Sequence, residues 1–250
     1  MISLQGKTAL VTGGSRGIGR ATAVLLARAG ADVGITYLSR RAEAEEVAKE
    51  IRELGRRSWS GGGNLGEAAT VERLFQEHRA QLGGLDLFVG NAGIWPPEPV
   101  ALRDLAPERW RETMQANLDS IYLTTRAALR MMPPGGRVVL VSSTAAQRGE
   151  AYHADYAATK GAMIALTKSL AIECAPDITV NCVAPGWVDT EMSQPAFADG
   201  GRDRISQTIP LGRPATAEEV AGPIVFMLSD LARHITGEVL NVNGGSVLCG

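Results

Sequence analysis

The sequence predicts one α/β domain, a doubly wound parallel sheet with helices on both faces. Three observations predict it. Apolar runs of strand length alternate with segments of helical period. The runs are continuous, as in Val138-Val139-Leu140-Val141, which suits strands covered on both sides. A glycine-rich turn separates the first run from the first helical segment.

Taken in order, strand-length runs fall at 8–12, 32–37, 85–90, 137–142, 178–183 and 238–242. Glycine punctuates the helices between them: Gly30 follows the first, and Gly55 follows the helix expected over 42–54. Gly61-Gly62-Gly63 reads as a loop. Thr216-Ala217-Glu218-Glu219 reads as a capping box, and Pro223 inside the helix it opens predicts a late start or a kink. Residues 186–215 carry no clear periodicity and are rich in Pro, Gly, Asp and Ser. Trp187, Met192 and Phe197 give this stretch apolar surface to close over a ligand, so it is expected to be a substrate lid. No linker, repeat or low-complexity tract divides the 250 residues, and residues 1–250 are expected to form a single dinucleotide-binding and catalytic domain.

Composition narrows the function classes. Hydrophobic residues at 45% and charged residues at 21% describe a globular chain, and a net charge of −2 without a basic run argues against a nucleic-acid partner. No stretch reaches the roughly 18 unbroken apolar residues of a membrane span, and the first residues lack the apolar core of a secretion signal, so a cytoplasmic enzyme is expected. Cys174, Cys182 and Cys249 are odd in number and share no CxxC spacing; His78, His153 and His234 share no ligand spacing. No metal site is expected. His153, three residues before Tyr156, could edge a pocket, but a surface position is the expectation favoured for it.

The richest chemical signal is the turn Thr12-Gly13-Gly14-Ser15-Arg16-Gly17-Ile18-Gly19, set between the first strand and the first helix. Glycines there let backbone approach a pyrophosphate, and the helix N-terminus offers unpaired N–H groups to it. Gly13, Ser15, Arg16, Gly17, Ile18 and Gly19 are therefore candidate cofactor residues of a Rossmann-like fold.

With this TGxxxGxG turn the chain begins to resemble the short-chain dehydrogenase/reductase family, and the resemblance runs its whole length. Asn91-Ala92-Gly93 matches the family's NAG motif, Tyr156-Ala157-Ala158-Thr159-Lys160 its YxxxK, Pro185-Gly186 its PG turn, and Asn241-Val242-Asn243-Gly244-Gly245 its last strand and turn. The overall pattern is most similar to 3-oxoacyl-acyl-carrier-protein reductases and related carbonyl reductases. The resemblance implies nicotinamide contacts at Asn91, Ala92, Gly93, Pro185, Gly186, Val188 and Thr190, and adenine contacts at Asn64 and Leu65. Asn64 stands where the family often has Asp, keeping the acceptor and losing the charge.

Tyr156 and Lys160 lie four apart, on one face of a helix expected over 156–174. A phenol titrates near 10, so bringing it to neutrality takes about 3 units, or about 4 kcal/mol, of neighbouring positive charge. Lys160 and an oxidised nicotinamide could supply it. Alone, such a pair would read as surface residues. By resemblance, Ser143 is the catalytic serine, with Ser142 the competing candidate; Asn117 is the fourth catalytic position, a backbone-anchored link in a proton relay; and Lys160 also holds the nicotinamide ribose. The reaction implied is hydride exchange between nicotinamide and a ketone or secondary alcohol, with Tyr156 as general acid or base.

The position about 20 residues past the glycines, where NAD enzymes place an acid on the ribose 2′-hydroxyl, reads Tyr37-Leu38-Ser39-Arg40-Arg41. With Arg16 and Arg40 to pair a 2′-phosphate and Ser39 to hydrogen-bond it, NADP(H) is the expected cofactor, with NAD(H) possible. Trp95, His153, Trp187 and Met192 join Ser143 as candidate substrate contacts. The apolar tail 246–249, taken with the resembled family's habit of pairing such C-terminal strands between subunits, implies a homotetramer. Expected substrates are small carbonyl compounds or acyl thioesters, because the segments before the serine strand and after the tyrosine helix carry few basic residues for an acidic carrier protein. An NAD-dependent sugar or alcohol dehydrogenase is the alternative within enzymes, and a non-catalytic nucleotide sensor the alternative outside them.

Overall fold

A computed structural model describes residues 2–249. Seven parallel strands form one sheet in the order β3-β2-β1-β4-β5-β6-β7: β1 Thr8–Val11, β2 Asp32–Tyr37, β3 Ser58–Gly62, β4 Leu87–Gly90, β5 Gly136–Val141, β6 Ile178–Pro185 and β7 Val239–Val242. The order reverses direction between β1 and β4, whose carboxyl ends therefore flank the crevice where doubly wound sheets take ligands.

Side chains alternate across each buried strand and build two cores. Ala9, Val11, Val89, Val139 and Val141 face one layer, with α1 (Gly17–Arg28), α2 (Arg41–Glu53) and α10 (Ala217–Met227). Leu10, Phe88, Val138 and Leu140 face the other, with α3 (Ala68–Leu82), α5 (Ser120–Met131) and α7 (Ala154–Glu173). Two-sided burial is why these strands read as unbroken apolar runs.

The structure departs from the sequence reading in three elements. Gly61 and Gly62 lie in β3 and not in a loop. The strand carries no apolar run because its neighbours fill the space: a Cβ on Gly61 would come within 2.6 Å of Trp59 and Leu74, and one on Gly62 within 2.7 Å of the Tyr37 ring. Helix α10 starts on time at its Thr216 capping box and continues through Pro223. Gly222 has no Cβ to meet the proline ring, which removes part of the usual clash. Residues 186–215 are not structureless: they hold a 3₁₀ turn at Glu191–Ser193 and two short helices, α8 (Gln194–Phe197) and α9 (Gly201–Gln207). Among the described residues no helix is long and apolar enough to cross a membrane.

Candidate active site

The glycine turn joins β1 to α1 and is sewn to the end of β4. Thr12 Oγ1 accepts from the N–H groups of Asn91 (2.9 Å) and Ala92 (3.0 Å), and Asn91 Nδ2 donates to the carbonyls of Thr12 (2.9 Å) and Gly13 (3.2 Å). A Cβ on Gly19 would sit 2.2 Å from the Gly13 carbonyl oxygen, so only glycine lets α1 rest on the turn. Gly19 acts through this packing and does not line the cleft. The first turn of α1 has no side-chain cap, leaving its N–H groups for an anion.

The cleft has two chambers sharing Ile18, Asn91, Gly93, Ile94, Thr190 and Met192. One runs along Gly13, Ser15, Arg16, Gly17, Tyr37, Ser39, Arg40, Asn64, Leu65 and Ala92, residues that the sequence reading named for the dinucleotide. The other is bounded by Trp95, Ser143, Tyr156, Lys160, Pro185, Gly186, Trp187 and Val188. An uncapped helix end, a glycine turn and two arginines in one continuous groove fit a nicotinamide dinucleotide.

At the back of the second chamber, β5 and α7 are tied together. Ser142 Oγ donates to the Lys160 carbonyl (2.8 Å), and Lys160 Nζ donates to the Val141 carbonyl (2.9 Å). Ser142 is thereby committed to the scaffold. Ser143 Oγ accepts from the Ala145 N–H (3.1 Å) and borders the cleft with Tyr156. Burial pushes the Tyr156 phenol up to about 12, against the Ser143 side chain, which lowers it; the Glu150 charge adds to the rise. Burial pulls Lys160 down to about 8. The Lys160 ammonium lies 5.7 Å from the centre of the tyrosine ring. In the free protein both groups are thus driven toward neutrality, and Tyr156 is a phenol. The near-neutral tyrosine that the sequence suggested is not a property of these residues alone.

Asn117 is fully buried and is no surface amide. It lies in a π-turn, Gln115–Asp119, between α4 (Pro107–Met114) and α5. Its amide clasps Ile94, accepting from the N–H at 2.7 Å and donating to the carbonyl at 2.9 Å, so it fixes the loop after β4 without lining the cleft. Next to the tyrosine, Asp155 takes hydrogen bonds from Arg109 (3.1 Å) and Thr113 (3.0 Å) and joins α4 to α7. Burial raises its carboxyl, but Arg109, the Tyr156 N–H and Thr113 outweigh burial and hold it below its ordinary range.

The outer wall is aromatic. Trp95 stacks on His153 at 4.7 Å, meets Trp187 edge-on at 5.9 Å, and donates its indole N–H to Glu150 (3.0 Å); Phe197 of α8 packs on Trp187. His153 is therefore buried behind Trp95 and not at the surface, nor does it border the chamber. Sequence reasoning missed Arg148, Glu150 and Glu191, which all border the cleft. Glu150, six residues before the tyrosine, belongs to no motif, and Glu191 beside Thr190 was the one signal within reach.

The chain matches, over residues 13–246, the family model described as enoyl-(acyl carrier protein) reductase. It is 40% identical to the 3-oxoacyl-(acyl-carrier-protein) reductase FabG of Aquifex aeolicus, over 98% of each chain. This protein belongs to the short-chain dehydrogenase/reductase family. A short-chain dehydrogenase of Burkholderia cenocepacia solved in complex with NADP is 38% identical and superposes with a TM-score of 0.92, covering 97% of this chain and 98% of that one. A glucose/ribitol dehydrogenase-type member from Brucella melitensis is 31% identical, with a TM-score of 0.92 over 99% of both. As a member of this family the protein is an NAD(P)-dependent oxidoreductase acting on CH–OH groups, which answers the nucleotide-sensor alternative.

Proposed function

We propose that this short-chain dehydrogenase/reductase uses NADP(H) to interconvert a ketone and a secondary alcohol, on a small molecule or an acyl thioester. The observation that carries the reading is the meeting of Ser143, Tyr156 and Lys160 in the second chamber, which is continuous with the dinucleotide groove through Ile18, Asn91 and Gly93. The dinucleotide, when bound, supplies or accepts the hydride. Gly13, Ser15, Gly17 and the N-terminus of α1 would hold its pyrophosphate, Arg16, Ser39 and Arg40 a 2′-phosphate, Asn64 and Leu65 the adenine, and Asn91, Gly93, Pro185, Gly186, Val188 and Thr190 the nicotinamide side.

Ser143 donates a hydrogen bond to the substrate oxygen and steadies charge developing there. Tyr156, kept protonated by burial, delivers its proton to that oxygen in reduction and takes it back in oxidation. Lys160 orients on the Val141 carbonyl and, protonated, favours the tyrosinate left after transfer. Asn117 positions the Ile94 loop beside them. Trp95, Trp187 and Met192 wall the substrate, and residues 186–215 act as the lid.

One feature supports small substrates or short thioesters over a carrier protein. Arg137, which with Arg130 flanks residues 131–136, is drawn into Asp230 (2.6 Å) and the Leu228 carbonyl (2.9 Å), so it adds little to a basic docking face. The relatives named for 3-oxoacyl-carrier-protein reduction support the thioester part of the reading. A homotetramer is supported by β7, an edge strand with half-buried side chains, followed by the exposed Leu248. The test is NADPH consumption with a carbonyl panel that includes one 3-oxoacyl group on a short thioester and on carrier protein, at two salt concentrations. Turnover of the thioester at least matching the carrier-protein form supports the reading. A large carrier-protein advantage that collapses with salt contradicts it.

A further inference from the structure

The two cations assigned above to a 2′-phosphate already share an anion of this chain. Glu191 Oε2 lies 2.5 Å from Arg16 Nη1 and 2.9 Å from Arg40 Nη2. The three residues come from three distant places: the turn before α1, the residue preceding α2, and the start of the 3₁₀ turn after β6. Glu191 borders the same chamber as Ser39 and Arg40. The other arm of Arg40, Nη1, is taken by Glu43 on α2 at 3.0 Å, which leaves Nη2 as the arm that reaches Glu191. All three side chains of the cluster are about half exposed, so neither ion pair is locked by burial and both can exchange with a ligand.

The geometry points to Glu191 as a specificity-determining residue, an internal anion that occupies the arginine pair until a 2′-phosphate displaces it. A phosphate monoester brings about −1.5 to −2 charge and three acceptor oxygens, against one charge and two oxygens on the carboxylate, so it can win the exchange. It does so by breaking two ion pairs. A dinucleotide with a free 2′-hydroxyl displaces nothing, and the arginines stay paired beside it. Selectivity is a difference of affinities. Glu191 weakens the phosphorylated cofactor and leaves the other untouched, so it narrows the gap between them. This inference rests on the reading that Arg16 and Arg40 face the 2′-phosphate.

Calorimetric titration with two fragments tests it without turnover: 2′,5′-ADP, which carries the 2′-phosphate, and 5′-AMP, which lacks it. Glu191→Gln keeps the side-chain shape and removes the charge. It should tighten 2′,5′-ADP by about 3- to 10-fold, the range two exposed ion pairs command, and leave 5′-AMP unchanged. The gain should shrink when Arg40→Ala is combined with it. If the wild type favours 2′,5′-ADP and Glu191→Gln changes nothing or weakens it, the Glu191 inference is overturned while the NADP(H) reading stands. If the wild type shows no preference but Glu191→Gln creates one, the inference holds and the NADP(H) reading fails. Equal tightening of both fragments overturns the inference, because the effect would then not depend on the 2′-phosphate.

Discussion

The reacting corner and the arginine rim handle charge in opposite ways. Tyr156 and Lys160 are set into the wall of the cleft, and burial moves each group toward its neutral form, to about 12 and about 8. At Arg16, Arg40 and Glu191 the side chains are half in water and form ion pairs with one another. Burial prepares the first region to pass a proton; exposure prepares the second to trade one anion for another.

The largest effect that would sharpen this contrast is at the corner. Tyr156→Phe should lower kcat by about 10²- to 10⁴-fold with the fold and NADPH binding retained. Turnover surviving in a folded, NADPH-binding variant would remove the tyrosine from its role.

Asp155→Ala comes next, because it strands Arg109 against the base of the tyrosine helix. It should cost about 3 kcal/mol of stability in denaturant unfolding at pH 7. The Asp155 pKa is depressed in the fold, so its stabilisation is present above the unfolded value of 3.8 and is lost as pH falls through the folded one. The difference between variant and wild type should therefore close in acid. A difference that is small at pH 7 would show that the corner does not depend on this pair.

Lys160→Met should stabilise the protein by about 2 kcal/mol at pH 7, since the shift from 10.5 to about 8 is a burial cost only partly offset by the bond to Val141. Because the folded pKa is the lower one, the unfolded chain binds more protons between about 8 and 10.5. Wild-type stability rises across that window, and the advantage of the variant fades there. A destabilised variant at pH 7 would break the contrast, placing the lysine among groups that the fold welcomes charged.

The smallest effect is at the rim. Arg40→Ala should lower the ratio of kcat/KM for NADPH over NADH by about 3- to 5-fold, as befits an exposed pair. An unchanged ratio would take Arg40 out of cofactor choice.

The same contrast explains what the sequence revealed. The glycine turn, Asn91-Ala92-Gly93, and the Tyr156/Lys160 spacing were legible because each is a contiguous backbone device whose purpose is local. Most of the sheet was legible because two-sided burial writes itself as apolar runs. Strand β3 escaped because its glycines make room for Trp59 of the same strand and for Leu74 and Tyr37, which lie elsewhere in the chain. His153 read as a surface residue because the ring that buries it, Trp95, is 58 positions away, a pairing that no period encodes. Glu191 was invisible for the same reason: its meaning exists only where residues 16, 40 and 191 converge.

Burial holds Tyr156 as a phenol, ready to give its proton. Ultraviolet difference titration of the wild type against Tyr156→Phe reads that group directly, first in the free protein and then with NADP⁺ bound. The expected result is ionisation at about 12 in the free protein, moving to lower pH when the positively charged nicotinamide is present. Ionisation of Tyr156 near neutrality in the free protein would contradict the claim, since it would mean that Lys160 alone overcomes burial.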